Sequence, residues 1–473
     1  MTALLLEFLG RWGLTVHGMV TAAGLAFYVV ASHTRRQRRH PSAAVAWVVS
    51  LALMPYVALP MYLLFGSRKV PRQAPARTAP AAPAHGCPSG ALAPQFQHLA
   101  AAMGLPHAAA YRQLAIHQDG QQALQALRAV IDGARRTLDV STFLLGRDAL
   151  GQDVMARLMR QARSGVQVRL LVDGIGAYLG GRPDLKPLAA AGVRVALFVS
   201  PFGSPLPGRT NLRNHRKMVI ADGQRLWTGG RNLAAEYFVG DAATRRPTPA
   251  WIDLSFDCCG DLAAQARQCY EQDWAFATQG ARHAAAPQAE PVPACGTGAQ
   301  LVASGPDQAE DTLYALLIAS CFSARQRIVA VTPYFVPDAA LLMALTLAAR
   351  RGVAVDLLLP RRSNHLLADM ARPAALRELD AAGARVWLLG TMVHAKAVVV
   401  DHDLALAGSA NLDERSLFLN YELMVAFFEP AEVERFADWI ARQRATASRY
   451  RAQRPGMLRE LLEGMVRWLA FQL

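Results

Sequence analysis

Two stretches of the chain pair a histidine with a lysine two residues on: His215 with Lys217 in "HRKMVIAD", and His394 with Lys396 in "HAKAVVVD". In both copies an aspartate (Asp222, Asp401) follows the histidine by seven residues and an asparagine (Asn232, Asn411) by seventeen, the latter in "GGRN" and "GSAN". Side chains alternate along a strand, so His and Lys two apart project from one face at the start of the strand that each motif predicts. If the two copies pack together, one site gains two imidazoles, two ammonium groups and two amides. That set suits a phosphodiester. Lysines and amides neutralise the non-bridging oxygens, one neutral imidazole attacks phosphorus, and the other gives a proton to the leaving alkoxide and later takes one from the incoming hydroxyl. Pairing His with Lys rather than with Asp, Glu or Cys disfavours a metal site.

A histidine used in this way needs a carboxylate to hold its tautomer. Asp253 in "WIDLSFD" and Glu422 in "LNYELMV" are the candidates, each on a strand-like stretch after its motif. Asp222 and Asp401 are read as residues that cap or orient the turn. A single H-x-K in a chain of 473 residues would be incidental; two copies with matching Asp, Gly and Asn spacings would not.

The elements around the motifs repeat as well. "SGVQVRLLVDG" at 164–174 parallels "RGVAVDLLLPR" at 351–361, and "AGVRVALF" at 191–198 parallels "AGARVWLL" at 382–389. Helical segments alternate with short Val/Leu-rich strands, which predicts two tandem α/β/α domains with largely buried sheets. The expected order is a membrane anchor over 1–70, an Ala/Pro linker over 71–95, a first domain over 96–280, a linker over 281–298, a second domain over 299–454 and an amphipathic helix over 455–473. That last segment would either dip into a bilayer or pack on the protein's own core.

The first seventy residues contain two charge-free stretches, 12–32 and 43–65. At about 1.5 Å per residue each is long enough to span a hydrocarbon core of about 30 Å as one helix. Their flanking charges nearly tie under the positive-inside rule: Arg35, Arg36, Arg38 and Arg39 lie between them, and Arg68, Lys69, Arg72 and Arg77 follow. If both segments span, the N-terminus and the large C-terminal part share a side.

Hydrophobic content of 52% excludes a disordered chain, and a formal charge of +14 favours an anionic partner, nucleic acid or lipid. The six cysteines form no CxxC pair or regular spacing, which reads as reduced thiols in a cytosol-facing protein.

"HRKMVIAD…GGRN" and "HAKAVVVD…GSANLDERS" resemble the paired HKD motifs of the phospholipase D superfamily. With "PSAAVAW", "NLRNHRK", "SGP" at 304–306, "TPYFVPD" at 332–338 and "GSANLDERSLFLNYEL", the chain is similar throughout to the membrane-anchored bacterial cardiolipin synthases. The resemblance implies transfer of a phosphatidyl group between two phosphatidylglycerol molecules, without metal or organic cofactor. The enzyme would sit in the bacterial inner membrane with its catalytic part facing the cytoplasm, use phosphatidylglycerol and anionic lipids as partners, and bind no nucleic acid. The catalytic set it implies is His215, Lys217, Asp222, His394, Lys396 and Asp401, with Lys217, Asn232, Lys396 and Asn411 on phosphate. Relatives point to His215 as nucleophile; the near-symmetric sequence itself leaves that open. Two departures stand out: Phe143 where a tyrosine is expected, and Arg231 in "GGRN", which would either add a phosphate contact or face solvent. A hydrolytic phospholipase D shares every one of these residues. A nuclease would not need the apolar N-terminus, and a catalytically dead lipid-binding scaffold would not keep all six motif side chains.

Overall fold

A computed structural model of the chain describes residues 2–34, 41–66, 92–199, 211–240, 248–279, 298–308 and 310–453, with isolated positions up to 464. It divides into two compact units, residues 1–73 with 201–212, and residues 74–200 with 213–473.

The larger unit contains both halves of the repeat. In the first half a seven-stranded sheet runs Arg112–Ile116, Ser255–Cys259, Arg225–Gly229, Met218–Ala221, Thr137–Thr142, Gln167–Asp173 and Arg194–Phe198. In the second half the corresponding central strands are Asn420–Phe427, Leu404–Gly408, Ala397–Val400, Arg327–Val331, Ala354–Pro360 and Arg385–Leu389. Each sheet is parallel on one side of the motif and antiparallel on the other, the register that two copies of one unit would share. The motif strands Met218–Ala221 and Ala397–Val400 are buried at every position, consistent with strands covered on both faces.

The halves also exchange elements. The short strand Arg213–Asn214 leaves the first half and pairs in parallel with Asn420 and Tyr421 of the second. The helix Leu92–Ala102 precedes the first half in sequence, yet Leu92, Ala93, Phe96 and Ala100 lie in the core of the second half, with Phe96 edge-on to Phe428 at 5.7 Å. The helix Pro430–Arg444 reaches back, Trp439 Nε1 donating to His117 O.

The smaller unit holds helices α1 (Thr2–Thr34), α2 (Pro41–Leu53) and α3 (Pro55–Phe65). The single helix expected over 43–65 is therefore two. Met54 leaves the helical region (φ −135°, ψ 56°), and Pro55 starts the next helix, where its missing N–H costs nothing. Among the described residues no helix is long and apolar enough to cross a membrane. Most of the C-terminal segment lies outside the described residues; of its described positions, Glu463 is buried against Arg377 of the helix Pro373–Ala381.

Candidate active site

The sequence reading puts His and Lys of each motif at the start of a strand. The structure puts them just before it, in the extended link that crosses from the opposite half into the home sheet. His215 N donates to Tyr421 O at 2.9 Å, and His394 N donates to Ile252 O at 2.7 Å. Each histidine is thus stitched beside the other half's candidate carboxylate, since Glu422 follows Tyr421 and Asp253 follows Ile252. The pairing is crossed. His215 Nδ1 lies 3.1 and 3.0 Å from the two oxygens of Glu422, and His394 Nδ1 lies 2.7 Å from Asp253 Oδ2.

With Nδ1 facing a carboxylate, Nε2 is left as the lone-pair nitrogen of the neutral ring. Burial pushes both imidazoles down, His215 to about 4 and His394 to about 3. Their lysine neighbours push the same way and the carboxylates push back. Both rings are therefore neutral near pH 7. Burial alone would raise Asp253, but His394 and Lys396 overcome it and hold it at about 2; Glu422 is lowered in the same manner by His215 and Lys217.

Lys217 and Lys396 are each 1% exposed. Lys217 Nζ donates to His215 O at 2.6 Å, and Lys396 Nζ bonds His394 O and lies 2.7 and 3.0 Å from the His394 ring nitrogens. Burial lowers Lys217 to about 7 and Lys396 to about 8, and Lys396 adds a repulsion on Lys217. Two desolvated ammonium groups within electrostatic reach of each other are costly unless an anion joins them. Among the described residues the amide oxygens of Asn232 and Asn411 are buried without a partner, and an incoming hydroxyl would satisfy them. Among the described residues no three or more His, Cys, Asp or Glu side chains gather as a metal would need.

Asp222 and Asp401 both bind backbone. Asp222 accepts the backbone N–H groups of Arg135, Arg136 and Thr137, and Asp401 those of Arg325, Gln326 and Arg327. Both sit at positive φ (55° and 52°), a conformation aspartate tolerates in turns. They lock the far end of each motif strand to the loop before its neighbour.

Arg231 does not face solvent. It is buried, with Nε donating to Tyr237 O and Nη1 to Ser255 Oγ, and burial lowers it to about 10 against the pull of Asp253. Phe143 lies with its ring 5.2 Å from that of His215 and 5.7 Å from Lys217 Nζ, so the missing tyrosine hydroxyl is replaced by an apolar wall.

Several residues carry the site without a signal in their spacing. Asp173 accepts from Ile175 N and Gly176 N, and also from Asn214 N next to His215; burial raises it to about 6. Arg216 is buried behind the first histidine, bonded to Asp273, Glu422 O and Ser304 O. Ser409 Oγ donates to Glu422 Oε2 at 2.5 Å. Tyr237 and Trp251 pack on His394 at 5.0 and 5.6 Å. Only Ser409 was within reach of the sequence, as the difference between "GSAN" and "GGRN".

Residues 127–244 and 317–444 match the family described as "Cardiolipin synthase, PLD-like domain", and residues 24–67 match "Phospholipase_D-nuclease N-terminal". Cardiolipin synthase A of Pseudomonas aeruginosa is 32% identical over 429 residues, covering 84% of this chain and 83% of that protein. Cardiolipin synthase A of Shigella boydii is 30% identical over 472 residues, covering 93% and 96%. Among solved structures, phosphatidylserine synthase of Haemophilus influenzae superposes with a TM-score of 0.58 at 15% identity, over 80% of this chain and all of that one, a likeness of fold.

Proposed function

The chain belongs to the phospholipase D-like cardiolipin synthase family, and we propose that it transfers a phosphatidyl group from one phosphatidylglycerol to another, releasing glycerol. The observation that carries this reading is the crossed pair: two neutral imidazoles, each backed by the other half's carboxylate, with two buried lysines between the halves.

We assign the attack to His215. Its side chain keeps 13% exposure against 4% for His394, and among the described residues nothing bonds its Nε2, whereas Lys396 Nζ lies 3.0 Å from the Nε2 of His394. In the first step His215 Nε2 bonds to phosphorus, the phosphorus–glycerol oxygen bond breaks, and His394 protonates the departing glycerol oxygen. Entry of the phosphodiester anion favours that protonated imidazole, because opposite charge raises the ring from its depressed value. In the second step neutral His394 takes the proton from the terminal glycerol hydroxyl of the second lipid. That oxygen attacks phosphorus and the nitrogen–phosphorus bond breaks, giving cardiolipin. Lys217, Lys396, Asn232 and Asn411 neutralise the non-bridging oxygens through both steps. The chain is held by its N-terminal segment on the bacterial cytoplasmic membrane, with the catalytic unit on the cytoplasmic side and no nucleic-acid substrate.

The test is incubation of the purified full chain in detergent with labelled phosphatidylglycerol. Cardiolipin and glycerol in equal amounts are expected; phosphatidic acid as sole product would overturn the transfer. His215→Ala and His394→Ala should each lose about a thousandfold or more, and full activity in either would refute a shared site.

A further inference from the structure

The apolar N-terminal helices pack in a way that two spanning segments would not. α2 has 13 residues and α3 has 11, about 20 and 17 Å long, short of a hydrocarbon core of about 30 Å. They double back on each other. The ring of Trp47 in α2 lies 5.1 Å from that of Tyr62 in α3, although 62 − 47 = 15 positions would separate them by about 22 Å along one continuous helix. Tyr62 is 3% exposed and also meets Tyr28 of α1 at 5.3 Å, while Leu51 and Ala58 complete the small shared core. At the reversal Met54 N donates to Ser50 O, Met54 O accepts from Val57 N and Ala58 N, and Pro55 has no N–H to satisfy.

The outside of this pair is apolar. Leu53 is 72% exposed, and Met54, Tyr56 and Val57 between 55% and 60%, all at the turn; Val45, Val48, Val49 and Met61 continue the surface along both helices. No charged residue occurs from Pro41 to Gly66, while Arg35, Arg36, Arg38 and Arg39 precede the pair and Arg68, Lys69, Arg72 and Arg77 follow it. An apolar tip on a pair flanked in sequence by cations on both sides is complementary to one leaflet of an anionic bilayer, acyl chains at the tip and headgroups at the base.

We propose that α2 and α3 form a re-entrant hairpin that enters and leaves the bilayer through the same face, its tip at Leu53–Val57 near the mid-plane. At about 17–20 Å the hairpin passes the half-thickness of about 15 Å without reaching the far side. The arrangement removes the tie in the flanking charges. With two spans the two basic clusters face opposite sides and oppose each other; with a re-entrant hairpin all eight cations lie on one side and act together. The proposal rests on the membrane association inferred above.

Limited trypsin digestion of the unmodified chain in inside-out and right-side-out vesicles tests it, with fragment ends read by mass spectrometry. Cuts at Arg35–Arg39 and at Arg68–Arg77 are expected in the same population, inside-out, at least about tenfold above the other. Cuts at the two clusters in opposite populations would overturn the hairpin while leaving membrane association standing. Release of the chain by an alkaline carbonate wash would overturn the membrane reading, and the hairpin with it. Should trypsin reach neither cluster, epitopes inserted after Gln37 and after Ala79, probed by antibody in the same vesicles, give the same two-way answer.

Discussion

The two histidines occupy matching places in the repeat and inhabit different surroundings. His215 rests on Glu422, a longer carboxylate steadied by Ser409 and Asn420, with Phe143 as its wall and some access from outside. His394 rests on Asp253, a shorter and stronger acid, under Tyr237 and Trp251, with Lys396 against its ring and Arg231 behind. The difference at one position accounts for much of this. Ser409 holds Glu422 by its hydroxyl; its counterpart Gly230 leaves the space that Asp253 fills, since a Cβ there would lie 2.2 Å from Asp253 Oδ1. The duplicated motif thus has an accessible nitrogen on one side and a shielded, cation-flanked one on the other, the contrast on which the proposed roles of nucleophile and proton shuttle rest.

The sharpest way to break that comparison is to trap the intermediate. With phosphatidylglycerol labelled in its phosphate, denatured His394→Ala protein is expected to carry acid-labile label on His215, while His215→Ala carries none. Label on His394 in the His215→Ala protein would reverse the assignment. The contrast between the two proteins should be about a hundredfold or more, the scale of a lost proton-transfer partner.

Next in size are the carboxylates. Asp253→Asn leaves Lys396 and Arg231 as buried cations without their anion, and should cost about 3–5 kcal/mol of stability in denaturant titration. Glu422→Gln should cost less, because the Ser409 hydroxyl and Asn420 amide can bond a neutral side chain. Equal losses would argue that the two surroundings are equivalent after all. The sign with pH follows: Asp253 is lowered from 3.8 to about 2, so its contribution is complete above 3.8 and disappears as pH falls towards 2.

The repeated spacing made the pairing of the motifs legible, because His, Lys and Asn recur at fixed offsets whatever the tertiary structure does with them. Asp253 and Glu422 could be found as carboxylates, one just before a strand and one on a strand. The crossing could not, because it depends on strand Arg213–Asn214 docking on Asn420 and Tyr421 from the other half. Arg216 and Arg231 look like surface cations in sequence and are buried only because Asp273, Tyr237 O and Ser255 meet them from distant segments. The second apolar stretch was visible by length, but the reversal at Met54–Pro55 is decided by what Tyr62 packs against.

The lysines separate the halves by a smaller margin. Lys217, lowered to about 7, and Lys396, at about 8, are both ammonium below neutrality and lose their protons in that order as pH rises. The kcat/KM of the enzyme is expected to fall by about tenfold per pH unit between these values and by about a hundredfold per unit above both. Lys217→Arg keeps its charge throughout. Its profile should therefore bend only where Lys396 titrates, even if its maximum is lower. An unchanged alkaline limb in this variant would assign the limb to another group.

The smallest effect should come from Ser409→Ala. The hydroxyl donates to Glu422 Oε2 and accepts from Leu423 N, so its loss frees one carboxylate oxygen and one backbone donor in a buried place. A hydrogen bond to a charged group contributes about 1.5–3 kcal/mol. The expected result is therefore a drop in kcat of about tenfold to a hundredfold, with KM little changed, because Glu422 acts through His215 and does not touch the lipid. The counterpart change, Gly230→Ser, should be worse than Ser409→Ala rather than neutral: its Cβ would displace Asp253 from His394. If serine were tolerated at 230, the two carboxylates would not be held in the different ways that distinguish the two histidines.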